Sequence, residues 1–224
     1  VGDRQAQSRG LLGQAEAYLC YGQYDDAQNC VQQARATLSI QEKLDCEHIR
    51  LEGLSALVSF FHGDISSALD YASNALALIQ QSPPIALYVM EGYASVLEVY
   101  LLLCQQQPEL IQSHQRDIRL ACKAMYQYAN AFGIGQPRIL RLEGCKAWLE
   151  GKHNRAMRLW GRSLSLAQQL AMPLEKGRSH YEIGIHLAVN TLQRQMHLEE
   201  AFRIFNALGA PQDLWSTPSC NRIE

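Results

Sequence analysis

The residues of this 224-residue chain best suited to nucleophilic or metal chemistry are its seven cysteines and seven histidines. Cys20, Cys30, Cys46, Cys104, Cys122, Cys145 and Cys220 form no CxxC pair, whereas a zinc site needs clustered ligands. His180 and His186 do not make the HExxH spacing of a zincin helix. Most of the cysteines sit in apolar helical stretches such as Leu101-Leu102-Leu103-Cys104, the setting of buried free thiols in a reducing compartment. A cytoplasmic location is the expectation. Phosphate chemistry has no cradle, because GxxxxGK[ST] is absent. Gly133-Ile134-Gly135 follows a helical stretch and precedes Pro137, so it reads as a turn and not as a dinucleotide fingerprint. No GxSxG elbow is present. Ser/His/Asp and Cys/His sites assemble from residues far apart in sequence, so spacing leaves that class open. The reading is a segment with no catalytic residue, no cofactor and no metal.

Charge narrows the partners. Lys plus Arg total 20 against 22 Asp plus Glu, a net charge of −2. A nucleic-acid grip needs a basic face, and a lipid-headgroup patch needs a run of cations; this balance predicts neither. Hydrophobic residues make up 47%, enough to bury a core. The longest strongly apolar run, Val96–Cys104, is interrupted by Glu98 and too short to span a bilayer. The chain opens Val1-Gly2-Asp3, without methionine, and is expected to be a piece of something longer.

The elements that must position these side chains are helical almost throughout. Leu11–Leu19 reads as a helix, Tyr21-Gly22-Gln23-Tyr24 as a turn, and Val31, Ala34 and Leu38 as the buried stripe of a second helix. Asp25 and Asp26 sit in its first turn, where carboxylates complement free N–H groups. The unit returns at Gly63 and at Gly151. In each copy alanine follows glycine by five residues: Gly22/Ala27, Gly63/Ala68 and Gly151/Ala156. Glycine permits a left-handed turn, and a small alanine lets the two helices approach. Helices are predicted at 5–21, 24–40, 44–62, 65–81, 85–106, 109–132, 137–150, 153–170, 174–192 and 197–208, as five antiparallel pairs. Residues 1–208 form one repeat domain in this reading, and 209–224 a C-terminal tail.

Tyr18, Gly22, Tyr24, Ala27 and Ala34 resemble the tetratricopeptide (TPR) consensus; Ile65 and His153 depart from it, standing where tyrosine is usual. The resemblance implies an all-α, TPR-like right-handed α-solenoid of about five helical hairpins. A second resemblance lies in residues 121–214. It rests on Phe132-Gly133-Ile134-Gly135-Gln136-Pro137-Arg138, Trp148-Leu149-Glu150-Gly151, Met172-Pro173-Leu174-Glu175-Lys176-Gly177 and Leu198-Glu199-Glu200-Ala201. This order is similar to the C-terminal helical region of large soluble adenylyl or guanylyl cyclases that carry a signal-transduction ATPase domain. Related ATPases fused to protein kinases or transcription activators share the tail type.

A TPR array binds peptides or neighbouring domains on the concave side formed by the first helix of each pair. Aligned on the turn glycines, that side is expected to present Arg9 and Leu12 from the first unit and Arg50, Phe60 and Phe61 from the second. The fourth unit contributes Arg138, Arg141 and Trp148. The arginines suit an acidic partner, and the aromatic residues suit either a partner or packing between helices. The polar start Glu175–Glu182 reads as a contact surface for another domain or as a solvated face. The expected function is non-catalytic contact with other protein domains, in the regulatory region of a soluble nucleotide cyclase. The alternatives are a freestanding TPR adaptor for peptides and the tail of an ATPase-type activator or kinase.

Overall fold

The computed structural model describes residues 4–38, 45–81 and 83–210. Among them are ten α-helices and no strand: α1 (Arg4–Cys20), α2 (Tyr24–Thr37), α3 (Asp45–Phe61), α4 (Ile65–Gln81), α5 (Met90–Gln106), α6 (Gln115–Ala131), α7 (Gly135–Leu149), α8 (His153–Gln169), α9 (Pro173–His186) and α10 (Leu192–Ala207). The tail from 211 onward lies outside the described residues.

The repeated turn forms as its residues require. Gly22, Gly63 and Gly151 adopt φ of 68°, 80° and 74°, a region that costs other L-residues about 1–2 kcal/mol. At each turn the glycine N–H and the next N–H reach back to the preceding helix: Gly151 to Trp148 at 2.8 Å, and Lys152 to Ala147 at 2.8 Å. The alanines five residues on, Ala27, Ala68 and Ala156, are fully buried.

α1 packs on α2, α3 on α4, α5 on α6, α7 on α8 and α9 on α10. The odd-numbered helices also touch in order, α1 to α3 to α5 to α7 to α9. α3 crosses α5 with the two backbones in close approach. A Cβ at Gly53 would lie 2.4 Å from the Gly92 carbonyl oxygen, and one at Gly92 would lie 2.8 Å from Arg50 Cα. The first and last pairs also come together: a Cβ at Gly209 would meet the Tyr21 ring at 3.8 Å.

Three boundaries differ from the periodicity. Residues 83–86 are not helical, and Leu87–Val89 is a 3-10 turn leading into α5. Pro108–Ile111 is likewise a 3-10 turn ahead of α6. α9 stops at His186 and α10 begins at Leu192, because Asn190 takes φ of 66° and the Thr191 hydroxyl caps α10 by accepting the Arg194 N–H at 3.3 Å. The Asn-Thr pair is a turn-and-cap signal that outweighs the apolar period running through it.

The apolar stretch is longer than the run noted in the sequence. Leu87–Gln106 is 20 residues, long and apolar enough to cross a membrane, yet most of it is buried inside the protein. It is the central core element: Tyr93, Val96, Leu97, Tyr100, Leu101 and Leu103 are all buried.

Candidate functional site

Helical spacing puts residues three, four and seven apart on one face. Arg138 and Arg141 share a face of α7. Glu91 and Glu98 share one on α5, and Glu175, Arg178 and Glu182 share one on α9. The packing brings these three faces together. Arg138 Nε donates to Glu175 Oε1 at 2.5 Å, and its Nη atoms donate to the two oxygens of Glu91 at 3.1 and 2.9 Å. Arg141 Nη2 donates to Glu98 Oε1 at 3.1 Å. Its Nε lies 3.5 Å from Glu175 Oε2 and its Nη1 3.6 Å from Glu182 Oε1. Arg178 Nη1 donates to Glu175 Oε1 at 2.9 Å.

The network is interior. Arg138, Arg141 and Glu175 are 2%, 4% and 2% exposed. Burial by itself would push the Glu175 carboxyl up, but Arg138, Arg178 and Arg141 outweigh it and bring it down to about 2. Burial also opposes ionisation of Glu98, and the same three guanidiniums reverse the effect and lower it. Burial disfavours the charges on Arg138 and Arg141, yet the surrounding glutamates hold both above the ordinary guanidinium range. Glu98, Glu175, Arg138 and Arg141 are therefore ionised at neutral pH.

A smaller cluster lies between α1 and α3. Arg50 Nε donates to Glu16 Oε1 at 2.5 Å, and Arg9 Nε donates to Glu47 Oε1 at 2.6 Å. The Tyr88 hydroxyl donates to Glu47 at 2.8 Å, and the Arg9 guanidinium stands 4.7 Å over the Tyr88 ring.

Two pockets of about 90 Å³ each open on the odd-numbered helices and share Phe61, Glu98 and Arg178. The first lies among α3, α5, α7 and α9, with Leu101, Arg141, Tyr181 and Glu182 in its wall. The second runs toward α1, with Glu16, Leu19 and Arg138 in its wall. Tyr24 is the one wall residue named for either that stands on an even-numbered helix.

Compared with known protein families, curated proteins and solved structures, the chain matches none.

The eight residues expected on a binding face separate into groups. Phe61 lines both pockets, and Arg141 and Arg138 line one each. Leu12 and Phe60 are core residues, 0% and 6% exposed. Trp148 stacks on His153 at 4.0 Å and packs against His186 at 4.2 Å. Arg50, Arg138 and Arg141, expected to meet an acidic partner, are each buried and paired with glutamates of the same chain. Of the four arginines expected on that face, Arg9, 42% exposed along its side chain, combines a pair with access to solvent. Glu175–Glu182, read as a domain contact or a solvated face, carries the α9 side of the buried network.

Sequence reasoning missed Glu91, Glu98 and Tyr88. A signal was present for the glutamates: Glu91/Glu98 and Glu175/Glu182 repeat at seven residues, flanking the Arg138/Arg141 pair in the helix order.

Burial, reinforced by the facing Glu182, pushes the Cys145 thiol well above its ordinary range, which keeps it protonated and a poor nucleophile. Among the described residues no group of three His, Cys, Asp or Glu side chains could hold a metal.

Proposed function

We propose that this chain is a non-catalytic interaction module, a TPR-like right-handed solenoid of five helical hairpins whose first helices form the recognition face. It acts as the regulatory C-terminal region of a multidomain soluble nucleotide cyclase. One observation supports the reading: apart from Tyr24, the walls of the two pockets that adjoin the buried Arg–Glu network come from α1, α3, α5, α7 and α9, the first helix of each pair. The cyclase assignment rests on the resemblance of residues 121–214. The partner is another protein domain, which the module biases between two states.

The buried Arg–Glu network serves this function by fixing register between α5, α7 and α9. Such networks add little net stability over apolar packing, but a mispaired one is costly, so they select one arrangement of helices. A rigid wall keeps the pockets shaped before a partner arrives.

Removing residues 174–224 from the parent protein takes away α9 and α10 and one wall of the first pocket. Its cyclase activity, or the response of that activity to regulators, is expected to change; an unaltered parent refutes the regulatory reading. The isolated chain with ATP and Mg²⁺ is expected to release neither cyclic nucleotide nor phosphate, and turnover refutes the non-catalytic one.

A further inference from the structure

The helix pairs stack in chain order. α2 packs on α3, α4 on α5, α6 on α7 and α8 on α9, so each of these second helices is covered by the first helix of the next pair. Among the described residues α10 has no such successor. A repeat array needs a polar outer face on its end repeats to stay soluble. At the first end α2 meets this need, with Asn29, Gln32 and Gln33 exposed. At the last end the surface is apolar. Leu174 and Ile185 of α9 and Leu198 and Phe202 of α10 are only half-buried, packed around a small core of Tyr181, Ala201, Phe205 and Ala210 that is separate from the main one. Val189 and Leu192 extend this face and are 54% and 72% exposed. Val189, Leu192, Leu198 and Phe202 line one groove of about 650 Å³, to which no helix before α10 contributes. α8 stands on the other side of α10, where Leu164 and Gln168 line a groove with Met196 and Arg203.

The path of the chain points to what covers this face. Ala210 is 3% exposed and belongs to the small core, and its N–H donates to the Phe205 carbonyl at 2.9 Å. The chain therefore leaves the described helices at the apolar face, at the C-terminal end of α10. Leu214 and Trp215 stand four and five residues further on. Five extended residues reach about 16 Å, and Phe202 lies about 12 Å back along the axis of α10.

We propose that residues 211–224 fold back along α10 and cap the array, with Leu214 and Trp215 lying on Phe202 and Leu198 where a next helix would pack. A second copy of the chain could use the same face only by displacing this segment. A short tether holds Leu214 and Trp215 there at an effective concentration in the millimolar range, which favours the segment over a second copy in dilute solution. The inference stands on the stacking of the pairs, and the cyclase assignment does not enter it.

The test uses the whole chain. The emission of Trp215, read as the difference between the whole chain and Trp215→Phe, is expected to be blue-shifted and at least threefold less quenched by acrylamide than free tryptophanamide. In ¹⁵N spectra Trp215→Ala is expected to move the backbone signals of Tyr181, Ile185, Leu198 and Phe202 and to leave those of α2 and α4 in place. Position 215 lies outside the ten helices, so this variant reads contact without disturbing their packing. Phe202→Ser is expected to raise the acrylamide quenching of Trp215 at least twofold. Quenching equal to that of the free amide overturns the proposal, and so does an end face whose signals stay in place in Trp215→Ala. A mass that rises to that of a dimer with concentration, while the same end-face signals move, also overturns it and gives the face to a second copy.

Discussion

Arg138 Nε and Glu175 Oε1 lie 2.5 Å apart with both side chains almost wholly inside the protein, 37 residues apart in sequence. The pair joins α7 to α9, and Glu91 extends it to α5. Three helices of three different pairs are thereby locked at one point by charge rather than by apolar packing.

Removing one partner strands the other. Glu175→Leu takes from Arg138 Nε the carboxylate it donates to in a buried site. Stability is expected to fall by about 3–5 kcal/mol in urea denaturation. The double variant Arg138→Met/Glu175→Leu removes one cation and one anion together and is expected to recover part of that loss, because the Glu91 and Arg178 contacts are lost with them. A double variant as unstable as the single one would mean that the pair supplies net stability and not register.

Acid should dissolve the same lock. Glu175 titrates at about 2 in the folded protein against 4.5 as its ordinary value. A folded value below the unfolded one favours the native state above the unfolded value. That contribution is fully present above pH 4.5 and is lost as pH falls from 4.5 toward 2. It amounts to roughly 3 kcal/mol by linkage. Glu98, lowered for the same reason, acts in the same direction. Stability measured against pH is expected to fall through this window, and Glu175→Gln is expected to flatten that slope. An unchanged slope in the variant would disprove the role given to Glu175.

Glycines at helix crossings should separate from glycines elsewhere. Gly92→Ala drives a Cβ to 2.8 Å from Arg50 Cα, a backbone contact that no rotamer relieves. The expected cost is about 3 kcal/mol, the upper end of overpacking. Gly161, exposed on α8, has nothing within 4 Å of its Cβ position. Gly161→Ala is expected to stabilise by about 1 kcal/mol through helix propensity. Thermal melts of the two variants should move in opposite directions; equal shifts would show that α3 and α5 do not cross as described.

The sequence by itself determined the helices and three of their turns. Ten predicted helices correspond to ten found, and Gly22, Gly63 and Gly151 turn the chain where the Gly/Ala spacing placed them. These features are local: an apolar period of 3.6 and a positive φ need only neighbouring residues. The break between α9 and α10 escaped because Asn190-Thr191 competes with an apolar pattern running on through Leu192 and Met196. Those two side chains are exposed, so the pattern marked no core there. What only the tertiary structure decided is which charges meet. Arginine on a helix face reads equally well as a partner's handle or as half of a buried pair, and the carboxylates that settle it for Arg138 stand 47 residues before it and 37 after it. Whether a guanidinium faces water or a glutamate depends on how α5, α7 and α9 cross, a long-range outcome of close glycine contacts and core volume that no short window of sequence contains.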